Sequence, residues 1–224
     1  MVSIIIPCYN EANYIEATLK QCFSQCGDFE IIVVDGNSTD NTAKVVGNYP
    51  SVQLIFSIKG RFNQLNYGAE AAKGDILLFL HADTLLPPKA IVSISKAFEN
   101  ERVIGGSFYL EFDKSHVLLS LYSMLSKINH SLFTYGDHAI FMSKKTFSEI
   151  GGFKKLSFME DAEIQKRARK KGDFIKLNLG VKTSTRRFEK YGFSKQFFQD
   201  MLFAILFKLG VDPEKLKRYY PDHS

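Results

Sequence analysis

Two acidic positions in the sequence could do chemistry because of what surrounds them. Asp83 follows the apolar run Ile76 to Leu80, and His81 lies two positions before it. A carboxylate at the end of a buried strand either shapes a turn or holds a hard divalent cation together with phosphate oxygens. His81 could ligate that cation, contact a sugar or orient Asp83.

The second acidic position is the pair Glu160 and Asp161 in "MEDAEI". At the start of a helix, acidic side chains favour the positive end of the helix dipole, and the residues alone favour this structural role. A carboxylate here could instead take the proton of a hydroxyl group while its oxygen attacks an electrophilic carbon.

Polar side chains also follow other apolar runs. In "FEIIVVDGNSTDNT", Asp35 ends the run and can accept a hydrogen bond from a ribose hydroxyl or a base imino group. Ser38 or Thr39 is expected to cap the next helix, and Pro7 is expected to end the first strand. In "KGRFNQLNYGAEAAKGD" the polar residues could face a nucleotide or only solvate a helix; they are Arg61, Asn63, Gln64 and Asn66. In "YGDHAIF", Asp137 and His138 either line an acceptor site or form an ordinary turn.

The elements that must position these residues alternate along the first hundred residues. The runs "VSIII", "FEIIVVD", "VQLIF" and "DILLFL" predict strands, and the segments between them have helix-compatible patterns. Such alternation predicts right-handed crossovers and a mainly parallel sheet with helices on both faces. Because ligands of these sheets bind beyond the carboxyl ends of the strands, each polar cluster is a candidate site wall.

Composition limits the classes of function. The 224 residues are 45% hydrophobic and carry a formal charge of +5, which suits an anionic substrate or an acidic membrane surface and is too small to indicate nucleic acid. Three cysteines suit neither a disulfide framework nor a zinc site, so a reducing cytoplasm is expected. No signal peptide and no membrane-spanning run are predicted, so we expect a soluble chain or one attached peripherally at the inner face of the membrane.

The C-terminal segment "FSKQFFQDMLFAILFKLGV" predicts an amphipathic helix. Its run Met201 to Phe207 is apolar on all sides, so a membrane surface or a homodimer partner could cover part of residues 193–211.

Taken together, several motifs resemble one known family. "SIIIPCYNEANYI", "IIVVDGNSTDNT", "GDILLFLHADT", "GGF" and "MEDAEI" are similar to glycosyltransferase family 2, the inverting enzymes of the GT-A fold. "GRFNQLNYGA", "YGDHAIF", "TSTRRF" and "LGVDPEKL" narrow the resemblance to the radical-SAM/selenodomain-associated subgroup.

The resemblance implies a GT-A α/β fold and hexosyl transfer from a UDP- or GDP-linked sugar to an unidentified acceptor. Asp35 would read the base, and Asp83, in an Asp-x-Asp signature whose first carboxylate is replaced by His81, would hold Mn2+ or Mg2+. The other residues implied to border the donor are Pro7, Tyr9, Glu11, Arg61, Asn66 and Ala82.

For catalysis the resemblance implies that Asp161 is the general base, with Glu160 beside it. Arg186 or Arg187 would help the metal to stabilise the leaving diphosphate. The Trp of the processive "QxxRW" box is missing, so transfer of single sugars is expected.

Residues 1–190 are expected to form the catalytic domain, with a nucleotide-sugar half (1–112), an acceptor half (113–190) and a C-terminal helical extension (191–224). Two alternatives stay open. A nucleotidyltransferase would usually begin with a Gly-rich loop that "PCYNEA" lacks, and a catalytically idle binding module is suggested by His81 in place of a carboxylate. A dinucleotide oxidoreductase is not expected, because no G-x-G-x-x-G follows the first strand.

Overall fold

An eight-stranded sheet forms the centre of the fold in the computed structural model, which describes residues 1–156 and 159–217. Its strands are β1 (Val2–Cys8), β2 (Phe29–Asp35), β3 (Val52–Phe56), β4 (Ile76–Phe79), β5 (Thr84–Leu85), β6 (Val103–Phe112), β7 (Ile140–Ser143) and β8 (Asp173–Thr183). The order across the sheet is β3-β2-β1-β4-β7-β6-β8-β5.

The helices lie between these strands and after the last one. They are α1 (Ile15–Phe23), α2 (Thr42–Gly47), α3 (Arg61–Ala71), α4 (Ala90–Ala97), α5 (Val117–Ser126), α6 (Lys144–Glu149), α7 (Glu160–Ala168), α8 (Arg186–Tyr191), α9 (Phe193–Lys208) and α10 (Pro213–Lys217). Two short 3-10 helices, Ser131–Phe133 and Gly136–His138, precede β7.

The first four strands of the sheet are parallel, as predicted. β1 pairs in parallel with β2 and β4, and β2 pairs in parallel with β3. β7 then joins antiparallel to both β4 and β6, β8 runs parallel to β6, and the short β5 closes the edge antiparallel to β8. The expected GT-A-like α/β architecture is therefore confirmed.

Helices cover both faces of the sheet, which explains the unbroken apolar runs of its strands. Ile4 and Ile6 of β1 belong to a core that also includes residues of α1, α4 and α5. Ile5, between them, belongs to a second core with residues of α3, α6 and α7. Successive side chains of a strand point to opposite faces, so a strand buried on both faces must be apolar at every position.

Helix α3 lies directly against the sheet at Gly68. A methyl group added there would lie 2.4 Å from Cγ2 of Ile5 and 3.0 Å from Cγ2 of Val34. Only glycine lets α3 lie this close to β1 and β2, and this fixes where α3 begins relative to the ends of the two strands.

The expectation that Pro7 ends the first strand is wrong. β1 continues to Cys8, with Pro7 paired to Val34 and Cys8 to Asp35. The pairing with β4 reaches only Ile5, so Pro7 has a neighbouring strand on one side alone. A missing N–H is tolerated at such an edge position.

No helix within residues 1–156 and 159–217 combines the length and the apolar character needed to cross a bilayer. The division at residue 190 stays a prediction. α8 spans that boundary, and residues 218–224 of the expected extension lie outside the described residues.

Candidate functional site

The side chains that could do chemistry converge where β1, β2 and β4 end. Carboxyl ends of neighbouring parallel strands meet at one edge of a sheet, and the segments there carry Glu11, Asp35 and Asp83. The first residues of three helices complete the group; they are Arg61 of α3, Glu160 of α7 and Arg186 of α8.

Asp35 is the last residue of β2, and one oxygen of its carboxylate makes no hydrogen bond within the described residues. The side chain is fully buried, and its Oδ1 accepts a hydrogen bond from the N–H of Ser38 at 2.7 Å. Its Oδ2 has no hydrogen-bond partner among the described residues. Leaving a buried polar atom unsatisfied costs about 1–3 kcal/mol, so its retention requires an explanation. An N–H or O–H group of a ligand would supply the missing hydrogen bond.

The loops after β1 and β2 are bonded to each other. The N–H of Asn10 donates to Oγ of Ser38 at 2.9 Å, and the N–H of Thr39 donates to Oδ1 of Asn10 at 2.8 Å. The expectation that Ser38 or Thr39 caps α2 is therefore wrong, because both are used in this loop contact. α2 begins at Thr42, whose N–H donates to Oδ1 of Asp40 at 2.9 Å.

Tyr9 and Lys59 lie at the edge of the same loop. The ammonium of Lys59 is 3.7 Å from the centroid of the Tyr9 ring, within the range of a cation–π interaction. Tyr9 was expected here from the sequence, whereas Lys59 was not. Its only sequence signal was its place two residues before Arg61, after the third strand.

Arg186 joins two carboxylates that are far apart in the sequence. Its Nη1 and Nη2 each donate to one oxygen of Glu11 at 2.7 Å, and its Nη2 lies 3.2 Å from Oδ2 of Asp83. Burial raises the pKa of Glu11, and the bonds from Arg186 oppose that effect. The guanidinium thus holds in place the two carboxylates that border the expected diphosphate site.

Arg61 makes a second bridge, between Glu160 and His81. Its Nε lies 3.0 Å from Oε1 of Glu160, and its Nη2 contacts Nε2 of His81. Burial, followed by the charge of Arg61, lowers the pKa of His81 well below its usual value, so the imidazole is neutral and accepts the bond. Burial raises the pKa of Glu160, and the charge of Arg61 opposes this.

The start of α7 positions Asp161. Met159, just before the helix, has a left-handed backbone with φ of 62°, which is uncommon for a residue of its type. Oδ1 of Asp161 accepts a hydrogen bond from the N–H of Ala162 at 2.7 Å, so the carboxylate is held at the positive end of the helix. Glu160 and Asp161 therefore occupy the helix start that the sequence predicted.

Asp137 and His138 lie in the 3-10 helix before β7; His138 is fully buried, whereas the side chain of Asp137 is 21% exposed. Nδ1 of His138 is 3.4 Å from Nζ of Lys176, and Nε2 of His138 is 3.8 Å from Oδ1 of Asp137. Nε2 of His138 and Oδ1 of Asp137 have no hydrogen-bond partner among the described residues. Burial raises the pKa of Asp137 to about 6 and lowers that of Lys176 to about 7. Lys176 was not expected from the sequence, because its only signal is a charge within β8, a strand that also carries Asp173, Asn178 and Lys182.

Arg187 lies in a different environment from Arg186. Its Nη2 donates to Oδ2 of Asp200 at 2.8 Å, which ties α8 to α9. Of the two arginines expected at the diphosphate, Arg186 bonds to Glu11 and lies within ion-pair distance of Asp83.

Asn66 and Ala82 have structural contacts in place of free ligand-binding groups. The side-chain amide of Asn66 donates to the carbonyl of Phe153 at 2.8 Å and accepts from its N–H at 2.9 Å, which holds the "GGF" turn. Ala82 is buried, and its carbonyl accepts a hydrogen bond from Oγ1 of Thr18 at 2.7 Å. The expected nucleotide contacts of these two residues stay predictions.

A divalent cation would find part of its ligands at this edge. Among the described residues, no three His, Cys, Asp or Glu side chains form a group that could hold a metal by itself. Glu11 and Asp83 nevertheless share one cation, the guanidinium of Arg186. One or two carboxylates completed by phosphate oxygens are the ligands of Mg2+ in many sites, so these residues fit an ion that arrives with a diphosphate. Nε2 of His81 is already engaged by Arg61.

Comparison with known proteins identifies the family of the chain. Residues 3–159 match the family described as Glycosyl transferase family 2. Over 117 residues the chain is 31% identical to an uncharacterized glycosyltransferase of Nostoc sp., an alignment that covers 49% of this chain and 36% of that protein. Over 116 residues it is 30% identical to an undecaprenyl-phosphate 4-deoxy-4-formamido-L-arabinose transferase of Proteus mirabilis, which covers 46% and 36% of the two chains.

Among solved structures, the fold is similar to the mannosyltransferase PcManGT from Pyrobaculum calidifontis in complex with GDP-Man and Mn2+. The TM-score is 0.71 at 22% identity, and the match covers 97% of this chain and 67% of that one. The alignments to the curated relatives span only about a third of the length of those proteins, 34–36% for the first three.

Proposed function

The chain belongs to glycosyltransferase family 2, and on that basis we propose that it transfers a sugar from a nucleoside diphosphate donor, UDP- or GDP-linked, to a hydroxyl group of a small or lipid-linked acceptor. The observation that carries the proposal is the unpartnered Oδ2 of Asp35, at the sheet edge where Asp83 and Arg186 also lie. One sugar is added per acceptor.

The donor lies across the ends of β1, β2 and β4. Oδ2 of Asp35 accepts a hydrogen bond from the imino group of the base, and the Tyr9 ring borders the nucleotide. The diphosphate carries several negative charges, and two guanidinium groups lie at this edge: Arg186 pairs with Asp83, and Arg61 contacts His81. Charge-assisted, bidentate bonds from arginine suit phosphate well.

Asp83, together with Glu11, would hold a divalent cation, Mn2+ or Mg2+, that accompanies the diphosphate. When bound, such an ion would supply positive charge to stabilise the leaving group. The Mn2+ in the complex of the Pyrobaculum mannosyltransferase supports a metal in this fold. Arg186 pairs with both of these carboxylates. When donor and cation bind, its guanidinium donates hydrogen bonds to the phosphate oxygens in place of the carboxylates.

Asp161 takes the proton from the acceptor hydroxyl. The hydroxyl oxygen forms a bond to the anomeric carbon from the face opposite the leaving group, and the bond from that carbon to the phosphate oxygen breaks. The electron pair leaves with the nucleoside diphosphate, and the configuration at the anomeric carbon inverts. Glu160, held by Arg61 at 3.0 Å, fixes the first turn of α7 and so the position of Asp161.

The acceptor enters from the side of Asp137 and His138. Their unpartnered buried atoms, Oδ1 and Nε2, are available to a polar group of the acceptor. The Proteus relative is named for a polyprenyl phosphate, which supports a lipid-linked acceptor as one of the two classes. Within the family, "GRFNQLNYGA" and "YGDHAIF" favour the radical-SAM-associated subgroup, and three free thiols favour a cytoplasmic location.

Thermal unfolding with UDP, GDP, ADP and CDP, each with and without Mn2+, tests the donor site. One nucleotide at about a hundred times its Kd should add about 2.7 kcal/mol of stability, and a shift of about 2–4 °C is expected per kcal/mol. Asp35→Asn, which keeps the shape of the side chain, should reduce this shift, and Asp83→Ala should remove its Mn2+ dependence. Asp28→Asn, at an exposed position, is the matched control. No shift with any nucleotide would contradict the site.

Release of nucleoside diphosphate from the preferred donor tests the chemistry. Asp161→Asn should lower the rate by about 100-fold or more while the nucleotide-induced thermal shift is kept. Equal rates in Asp161→Asn and the wild-type chain would exclude Asp161 as the base. Binding of nucleotide without measurable turnover in the wild-type chain would favour the idle binding module.

A further inference from the structure

Helices α5 and α9 each expose an apolar stripe. On and just after α5 the stripe consists of Val117, Leu121, Met124 and Ile128, and Val117 is 82% exposed. On and just after α9 it consists of Phe198, Leu202, Ile205 and Leu209, and the exposures of Phe198 and Leu209 are 65% and 77%. In both stripes the spacing is four, three and four residues, so each stripe follows one face of its helix.

The core accounts for the opposite faces of these helices. Tyr122 of α5 packs edge-on against Phe197 of α9, with ring centroids 6.1 Å apart, and His116 stacks on Phe193 at 4.2 Å. Tyr122 and Phe197 are buried. The two helices therefore pack against each other through these residues, and each presents its own exposed stripe on the outside of the molecule. We call the eight stripe residues the α5–α9 surface.

A groove extends this surface toward α10. Its volume is about 600 Å3, and its walls include Phe198, Leu202 and Leu216. Lys195 and Lys215 also line it, and both are exposed. The groove therefore combines an apolar floor with ammonium groups at its rim.

The charge around the surface is positive. Residues 186–217 contain seven basic and four acidic residues, and residues 114–130 contain two lysines and no acidic residue. Lys208 and Lys217 are exposed like Lys195 and Lys215. Lysines that surround an apolar face fit a layer of anionic headgroups above hydrocarbon, since their stems lie along the apolar surface while the ammonium groups reach the phosphates.

We infer that the α5–α9 surface docks on the interfacial region of a bilayer that contains anionic lipid. The stripes enter the boundary between headgroups and acyl chains, and the lysines of α9 and α10 bind headgroup phosphates. A second copy of the chain would bring the same positive charges together, which disfavours that occupant.

The surface is also connected to the proposed catalytic helix. Met159, which precedes Glu160 in α7, packs in a small core with Phe203 of α9 and Leu216 of α10. Phe203 and Leu216 also line the groove. If the acceptor is lipid-linked, as the proposed function allows, docking brings the membrane to the side of the molecule that carries Asp161.

Co-flotation of the full chain with vesicles tests the surface without reference to transfer. Vesicles of phosphatidylcholine with about 30% phosphatidylglycerol should bind the chain about tenfold more tightly than phosphatidylcholine alone, with the excess lost at about 0.5 M salt. Leu202→Ser combined with Leu209→Ser should lower binding about tenfold. Val92→Ser combined with Ile58→Ser removes two exposed apolar residues elsewhere and should leave binding unchanged.

Each variant is checked by its thermal unfolding and its nucleotide-induced shift, so that loss of folding or of the donor site is recognised separately. Absence of binding to anionic vesicles, or equal binding by both double variants, would overturn the inference. Sedimentation of the wild-type chain as a dimer that Leu202→Ser and Leu209→Ser dissociate, without vesicle binding, would assign the surface to a second copy instead.

Discussion

The substitution Asp137→Asn is expected to stabilise the protein above pH 6 and to leave its stability unchanged in acid. Burial raises the pKa of Asp137 from 3.8 to about 6, and its Oδ1 has no hydrogen-bond partner among the described residues. Below pH 3.8 the carboxyl is protonated in both the folded and the unfolded chain. Between pH 3.8 and 6 the unfolded chain releases this proton while the folded chain retains it, so the folded state loses stability as the pH rises.

The size of this effect follows from the difference in pKa. Each pH unit corresponds to about 1.36 kcal/mol, so the ionised carboxylate costs about 3 kcal/mol at pH 8. Asparagine keeps the shape of the side chain and has no charge to bury. The measurement is best made at pH 8, because the pKa of Lys176 is about 7 and its ammonium is then mostly deprotonated. At pH 6, removal of the Asp137 charge would also affect that buried cation.

Urea unfolding of the wild-type chain and Asp137→Asn at pH 4, 6 and 8 checks this prediction. The variant should gain about 3 kcal/mol at pH 8, with the gain falling below about 0.5 kcal/mol at pH 4. Asp28→Asn, whose side chain is 79% exposed, is the control and should show no comparable gain. A variant no more stable than the wild-type chain at pH 8, or a gain of equal size at pH 4 and pH 8, would refute the reasoning. A confirmed gain would mean that this carboxylate is kept at the expense of stability, as is common at functional sites.

Three further outcomes are expected. Gly68→Ala should cost about 2 kcal/mol in urea unfolding because α3 has no room for a methyl group against the sheet, whereas Gly47→Ala, where the methyl group meets nothing within 4 Å, should be near neutral. Asn66→Ala should lower the free energy of unfolding by about 2 kcal/mol, since the N–H and the carbonyl of Phe153 both lose their partner. It should also speed trypsin cleavage at the two lysines that follow Phe153, and an unchanged cleavage rate would contradict this. Arg186→Lys should weaken binding of UDP or GDP by about 1–2 kcal/mol in calorimetric titration, because an ammonium cannot form the bidentate bonds of a guanidinium. Binding of the parent nucleoside, which has no phosphate, should be unaffected. Equal losses for the diphosphate and the nucleoside would exclude a role of Arg186 at the diphosphate.

Most of the fold could be predicted because its signals are local. A strand buried on both faces must be largely apolar, and β1 to β4 were recognised by that property within two residues at each end, with β2 and β3 matched at both ends. The end of β1 was misjudged at Pro7, because the sequence does not show that β4 stops pairing before that position. The placement of β7 between β4 and β6 was also not foreseen, since antiparallel pairing across long loops leaves no pattern in a single strand.

The carboxylates of the candidate site could be predicted from the sequence, whereas the residues that bond to them were harder to predict. Asp35 and Asp83 follow apolar runs, which is a signal that the sequence carries directly. The bond between Arg186 and Glu11 joins residues 175 positions apart, and nothing local to either residue indicates it. Lys176 was missed for a similar reason, because its burial beside His138 depends on how β6 and β8 pair.

The insertion of β7 between β4 and β6 has a consequence for synthesis of the chain on the ribosome. β4 ends at Phe79 and β7 begins at Ile140, so 60 residues separate the two neighbours. At about 5–20 residues per second, their synthesis takes roughly 3–12 s. During that time the growing chain can assemble β1 to β4 as a parallel sheet, but one side of the apolar strand "ILLF" has no partner. An unpaired apolar edge invites intermolecular strand pairing, so nascent chains halted before residue 140 are the species most prone to aggregate.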